Sequence, residues 1–182
     1  MTKEQFRQKG RERISNRERR VLSRKIEKEL NRVIYRNQNR NILFYSPLKN
    51  EVDISNSLKF WNKRRNVFLP KIGGETFSAI PFRVPLKKSK FGTFEPSGKS
   101  KMRNLDIAIV PILGIDSTFR RVGFGKGMYD RFFPKLRKIP FTIFVQNRLN
   151  FSKKVLTEKH DIFCDVVLFG KSETNDRFYL KR

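Results

Sequence analysis

The sequence predicts one α/β domain over residues 1–182, three layers deep, with a mostly parallel central sheet flanked by helices and a long N-terminal helix. Three observations lead there. Short apolar runs bounded by turn residues recur at 41–46, 66–70, 106–111, 141–145 and 166–169, with the length and texture of buried strands. Stretches of helical character lie between several of them, and strands alternating with helices imply parallel pairing. No internal repeat or linker interrupts the chain, whose length suits one domain with a sizeable core.

Residues 2–30 read as the long helix. Thr2 and Gln5 have capping-box spacing. Phe6, Ile14, Val21, Leu22, Ile26 and Leu30 form a sparse apolar stripe, although Gly10 is a poor helix former. Lys3 and Arg7, four apart, share a face and could reach one anion together. The first strand, 41–46, ends at Pro47. The loop 48–53 follows, then an amphipathic helix through Leu58, Phe60 and Trp61. Asp53 is the natural N-cap of that helix, whereas Glu51 has no such structural role in view. The second strand, 66–70, ends at Pro70, and residues 75–84 supply another through Phe77, Ile80 and Phe82. Residues 87–101 form a polar connection. Its aromatics Phe91 and Phe94 flank Gly92, and could stack on a planar ligand or anchor the loop.

The stretch 105–133 organises the rest. After the strand ending at Pro111 and a turn through Gly114 and Asp116, the chain runs Arg121-Val122-Gly123-Phe124-Gly125-Lys126-Gly127-Met128-Tyr129-Asp130. Alternate glycines let the backbone approach a ligand closely. If residues 128–136 are helical, free N–H groups at the helix start favour an anion. Arg121 and Lys126 add full charges, so the pattern reads as a phosphate cradle. The spacing is neither that of a Walker A loop nor that of a dinucleotide fingerprint, and a glycine turn with solvated cations fits the same residues. Asp130 stands where a carboxylate could hold magnesium beside phosphate, or stabilise a helix start. The cradle follows the carboxyl end of a central strand, where open α/β sheets bind ligands.

Composition narrows the classes. Hydrophobic residues make up 37% of the chain, including 18 Phe, which excludes a disordered basic tail. No run approaches the roughly eighteen apolar residues of a membrane span. The charged N-terminus lacks an apolar signal core, so the cytoplasm is expected. A lone Cys164 excludes an internal disulfide and, lying in an apolar segment, reads as a buried, inert thiol. One His and one Cys exclude a zinc cluster. The formal net charge of +25 suggests either an RNA-binding surface or a basic surface around a site for small polyanions.

The ordered set Lys3-x-x-x-Arg7, residues 48–53, Phe94-Glu95-Pro96, residues 106–111, Arg121-x-Gly123-x-Gly125-Lys126-Gly127-x-Tyr129-Asp130 and His160-Asp161 resembles the 5-formyltetrahydrofolate cyclo-ligase family. The family is also called methenyltetrahydrofolate synthetase. The resemblance spans Lys3 to about Phe169, and its most specific part is the glycine element.

It implies ATP- and Mg-dependent closure of 5-formyltetrahydrofolate to 5,10-methenyltetrahydrofolate, with release of ADP and phosphate after phosphorylation of the formyl oxygen. It further implies nucleotide binding by Lys3, Arg7, Arg121, Gly123, Gly125, Lys126, Gly127, Met128 and Tyr129. Arg121 and Lys126 would be the catalytic cations, and Asp130 and Asp161 the metal acids. Leu48, Glu51, Val52, Phe94 and Pro96 would form the folate pocket. Met128 departs from the family pattern, which often has tyrosine there. The expected partner is the folate, with or without a polyglutamate tail, bound by a monomer or weak dimer; membrane and nucleic acid are not expected partners. The alternatives are an ATP-dependent enzyme of this fold with another acceptor, and a basic RNA-binding protein.

Overall fold

The computed structural model describes residues 1–37, 40–90, 92–99 and 102–170. Two helices, α1 (Lys3–Gly10) and α2 (Asn16–Arg36), precede β1 (Asn41–Leu43), α3 (Ser55–Asn62), β2 (Asn66–Gly73) and β3 (Thr76–Pro81). A small hairpin, β4 (Lys87–Lys88) with β5 (Phe94–Glu95), leads to β6 (Ile107–Pro111). Then come β7 (Gly114–Asp116), β8 (Arg121–Val122), α4 (Met128–Phe132) and a 3-10 turn (Phe133–Lys135). β9 (Phe141–Gln146), β10 (Phe151–Ser152) and β11 (Val166–Phe169) complete the chain order. Among the described residues no helix is long and apolar enough to cross a membrane.

The main sheet has the order β11-β9-β6-β1-β2-β3, parallel throughout except for the antiparallel edge strand β3. From β1 the chain builds outward to β3, then returns to β6 on the other side of β1 and builds the opposite way. The direction therefore reverses between β1 and β6, and the crevice outside their carboxyl ends is where such sheets hold ligands.

Side-chain alternation divides the core. Ile42, Phe44, Val67, Leu69, Ile107 and Ile109 pack beneath Ile26, Leu30 and Ile34 of α2 and Leu58 and Trp61 of α3. Leu43, Phe68, Ala108 and Val110 face Phe132 at the end of α4, Phe133 just after it and Ile115 of β7. The three layers thus exist, but the second face is covered by a short helix and the small β10-β7-β8 sheet, with no long helix there among the described residues. Cys164 is buried, and desolvation, with Asp165 nearby, pushes its thiol up to about 12.

The expected helix 2–30 is two helices. The Thr2–Gln5 capping box forms as read, but α1 stops at Gly10 and α2 restarts at Ser15, whose hydroxyl accepts the Glu18 N–H at 3.1 Å. The break lets α1 dock on the turn between β6 and β7. Phe6 is fully buried there, and Asn150 Nδ2 donates to the carbonyls of Phe6 and Leu113. Contact is close enough that a Cβ on Gly10 would lie 2.1 Å from the Leu113 oxygen, and one on Gly114 would lie 2.4 Å from the Phe6 ring.

Strand limits also differ from expectation: β1 stops at Leu43 instead of reaching residue 46, and β3 stops at Pro81 instead of reaching residue 84. β2 runs through Pro70 to Gly73. Phe82 N bonds Val67 O, so by alternation the nitrogen of Pro70 faces away from β3, on a flank where the β1 pairing has already ended. A proline costs no ladder bond there. Phe91 lies outside the described residues.

α2 holds the segment 48–61 with a polar ladder spaced four residues apart. Arg19 Nε donates to Glu51 O at 2.7 Å, and Ser23 Oγ accepts from Asp53 N at 2.9 Å. Glu27 Oε1 accepts from Ser57 N at 2.8 Å, and Asn31 Oδ1 accepts from Trp61 Nε1 at 2.8 Å. Asp53 does not cap α3: Ile54 occupies the N-cap without a side-chain bond, while Asp53 turns back to Ser55 N. Glu27 supplies the missing acceptor from the neighbouring helix, a contact of the kind worth about 1 kcal/mol.

Replacing Gly114 by Ala forces Phe6 or the Asn150 backbone to move. The expected cost is about 1–3 kcal/mol, read as a lower urea midpoint; an unchanged midpoint would contradict the docking of α1.

Candidate active site

Arg121 sits in β8, and its side chain is almost fully buried. Its Nη2 lies 3.3 Å from Asp130 Oδ2, and its guanidinium carbon is 5.0 Å from the centre of the Tyr129 ring. Gly123 makes this possible, because a Cβ there would fall 2.6 Å from Nη2. Asp130 is fixed from its other oxygen by Ile162 N at 3.2 Å, and Arg121 N in turn donates to Ile162 O at 2.8 Å. The glycine run therefore wraps a buried cation.

Gly127 opens α4 with φ +56, the left-handed region. The helix that follows has five residues, shorter than the expected 128–136, because Pro134 sets a 3-10 turn. So short a helix contributes little dipole, and any anion would be met by the loop's own N–H groups and by side-chain cations. Arg131 folds back onto the carbonyls of Glu75 and Lys126 and ties the loop to β3.

α1 brings two cations to the same place. Lys3 Nζ contacts Asp161 Oδ2 at 2.9 Å, and Arg7 Nε donates to Gly123 O at 3.1 Å. Together with Arg121, Gly125, Gly127 and Asp130 these residues line one open polar cavity of about 490 Å³, joined by Arg131, Glu158 and His160. Two of its three carboxylates, Asp130 and Asp161, are neighbours through Ile162. Among the described residues no group of three His, Cys, Asp or Glu could close around an ion unaided. Two hard oxygen donors in an open cavity lined by cations match what magnesium takes, since it keeps waters and phosphate oxygens as its other ligands.

A second cavity of about 240 Å³ adjoins the first. Tyr45, Leu48, Pro70, Ile72, Phe77, Met128 and Tyr129 give it apolar and aromatic walls, and Glu51, Thr93 and Lys126 add polar groups. Arg121 and Gly127 line both cavities. Glu51 stands at the β1/β6 crevice, where its Oε2 accepts the Leu48 N–H at 2.8 Å. Burial raises its carboxyl to about 7; the Leu48 bond and the charges of Arg121 and Arg19 oppose the rise without cancelling it. The chemistry available is a polyanion beside a flat, largely apolar ligand, with one guanidinium between them.

A model of the 5-formyltetrahydrofolate cyclo-ligase family matches residues 2–170. The chain belongs to that family. Among curated relatives it is 28% identical to the 5-formyltetrahydrofolate cyclo-ligase of Haemophilus influenzae over 109 residues, covering 54% of this chain and 58% of that protein. It is 30% identical to the Mycoplasma pneumoniae enzyme of that name over 102 residues, 54% of each. The chain thus spans little more than half the length of the curated relatives it matches. Solved structures align further. The 5,10-methenyltetrahydrofolate synthetase of Aquifex aeolicus matches with a TM-score of 0.79 at 27% identity, over 100% of this chain and 97% of that one. Its Mycoplasma pneumoniae counterpart gives 0.68 at 25% identity, over 91% and 94%.

Of the residues that the cyclo-ligase resemblance singles out, Lys3, Arg7, Arg121, Gly123, Gly125, Gly127, Asp130 and Asp161 meet in the polar cavity. Leu48, Glu51, Lys126, Met128 and Tyr129 meet in the apolar one. Val52 does not line the apolar cavity; it is buried in the core against α2, while its carbonyl accepts the Tyr45 hydroxyl at 2.7 Å. Phe94 and Pro96 do not line it either. Phe94 is 48% exposed and Pro96 borders a separate lysine-lined groove, because the β4–β5 hairpin turns Thr93 inward. Tyr45, Thr93, Arg131 and Glu158 were not anticipated, and none stands in a recognisable motif.

Because folding raises the Glu51 carboxyl from 4.5 to about 7, this group favours the fold fully only below about pH 4.5 and loses that advantage as pH climbs through about 7. Glu51→Gln removes the penalty, and its stability relative to the parent should gain about 3 kcal/mol between pH 4 and pH 8. Urea titrations of both proteins at the two pH values check this; a pH-independent difference would contradict it.

Proposed function

We propose that the protein is a single-domain, ATP-dependent cyclo-ligase that closes 5-formyltetrahydrofolate to 5,10-methenyltetrahydrofolate. The reading is carried by one observation: the polar and the apolar cavity share Arg121 and Gly127. The nucleotide's phosphates lie in the first, and the folate in the second with its ring system against Glu51. We place the protein in the cytoplasm, acting as a monomer or weak dimer on folate with or without a polyglutamate tail.

Glu51 is suited to a pterin, whose adjacent ring N–H and amino group match a carboxylate's two oxygens. Its carboxyl titrates near neutral pH, so it changes charge in the working range. Lys3 and Arg7 grip the phosphates from α1, and the loop 123–127 meets them with backbone N–H groups. Asp130 and Asp161 would hold magnesium, which when bound neutralises and orients phosphate oxygens. Arg121 and Lys126 then face the γ-phosphoryl group as it crosses between cavities, where positioning and charge neutralisation are most of what such a transfer needs.

The bond from γ-phosphorus to the bridging oxygen of ADP breaks as one forms to the formyl oxygen. The formyl carbon becomes electrophilic and the second folate nitrogen attacks it. That nitrogen loses its proton, the carbon–oxygen bond breaks, and phosphate leaves. No covalent link to the protein is needed.

The test is spectrophotometric, following the near-ultraviolet absorbance of the methenyl product. Absorbance should rise with 5-formyltetrahydrofolate, ATP and magnesium together, and should fail to rise without ATP or with Asp130→Asn. A flat trace accompanied by folate-independent ATP turnover would instead point to another acceptor. Lys126 is exposed, so Lys126→Ala should fold normally yet lose turnover by a factor of order a hundred; a loss under about threefold would exclude it from the transfer step.

A further inference from the structure

Outside these cavities one ionisable group is buried more completely than any in them. Asp116, at the end of β7, has no exposed surface. Its Oδ1 accepts the Thr118 N–H at 2.9 Å and the Thr118 hydroxyl at 2.6 Å. Its Oδ2 accepts Leu156 N and Thr157 N at 2.8 Å each and the Thr157 hydroxyl at 2.6 Å. Desolvation pushes this carboxyl up, but the hydroxyls of Thr118 and Thr157 and the backbone donors outweigh it, and the group lies at about 2. It is a permanent anion that binds the turn before β8 to residues 156–157, some forty positions later.

The next residue carries the consequence. Glu158 N donates to Asp161 Oδ2 at 2.8 Å, and that same oxygen receives Lys3 Nζ. Asp161 N closes the turn on Glu158 O at 3.0 Å. The far side of Asp161 is fixed separately by Ile162, through Arg121 N and Asp130. The near side, among the described residues, is held by Lys3 and by the turn that Asp116 anchors.

We propose that Asp116 is a positioning residue for the nucleotide cleft: by holding Leu156 and Thr157 it sets Glu158 N, and through it the orientation of the Asp161 carboxylate toward a metal-bound phosphate. The proposal rests on the cyclo-ligase reading above. Asparagine at 116 would keep the size but turn an amide N–H group toward buried donors, tilting the 156–161 turn. Partners that orient a metal-binding carboxylate typically matter by ten- to a hundredfold in affinity.

Calorimetric titration of the protein with ADP, with and without magnesium, tests this apart from turnover. Asp116→Asn should weaken magnesium-dependent ADP binding about tenfold, and leave magnesium-free binding and the folate KM within about twofold. The double variant with Asp161→Asn should bind no more weakly than Asp161→Asn alone, since one acts through the other. Thr157→Val, which removes one of five donors, should show the same pattern at smaller size, and carries the test if Asp116→Asn fails to unfold cooperatively. Equal losses with and without magnesium, or losses additive with Asp161→Asn, would reduce Asp116 to a fold-stabilising group and overturn the proposal. A parent protein that binds no ADP at all would overturn the cyclo-ligase reading itself, an outcome distinct from an unaffected variant.

Discussion

The buried pair of Arg121 and Asp130 is the constraint on which the site depends. Removing two charges from water is costly, and only close geometry and further hydrogen bonds offset it. The surroundings supply most of this, although Arg121 Nε is buried without a hydrogen-bond partner among the described residues. Gly123 leaves room for the guanidinium, Tyr129 covers it, and Ile162 braces Asp130 and the Arg121 backbone at once. Arg7 then fastens α1 to the same loop through Gly123 O. A cation placed in advance in this way needs little reorganisation when a charged group passes, which is the property electrostatic catalysis requires.

The opposite wall is held from a distance. α2 contributes no residue to either cavity, yet Arg19, Ser23, Glu27 and Asn31 grip the backbone and side chains of residues 51–61 at successive turns. Glu51 is thereby presented at the crevice between β1 and β6 with its carboxylate facing inward and its carbonyl bound behind. The two cavities draw on different layers: the polar one on the small sheet and α1, the apolar one on the main sheet, held from behind by α2. Arg121 is where they touch.

The sheet was legible because buried strands are apolar on both faces, and the runs at 41, 66, 106, 141 and 166 all became strands of it. The lining of the polar cavity was legible because glycines, cations and acids sit there in a short, ordered motif. What could not be read was mostly tertiary. The break between α1 and α2 had a local signal, the Ser15-x-x-Glu18 spacing, masked by continuous basic periodicity across it. The ladder on α2 looks from sequence like a solvated polar face. Its meaning comes only from the backbone donors opposite. Asp116 reads as a turn residue until Thr157 arrives from forty residues away. Val52 and Leu48 are both apolar and four apart, but the burial of one and the exposure of the other to the cavity depend on how the loop is pinned.

If Arg121 bridges a phosphoryl donor and a formyl acceptor, the oxygen of the formyl group must leave with the phosphorus. The most direct measurement is therefore to supply 5-formyltetrahydrofolate labelled with oxygen-18 in the formyl group, with ATP and magnesium, and weigh the phosphate released by mass spectrometry. The account predicts one labelled oxygen in the phosphate for each methenyl group formed. Unlabelled phosphate, with the label in water, would mean that the two cavities do not exchange a phosphoryl group and that ring closure follows another path.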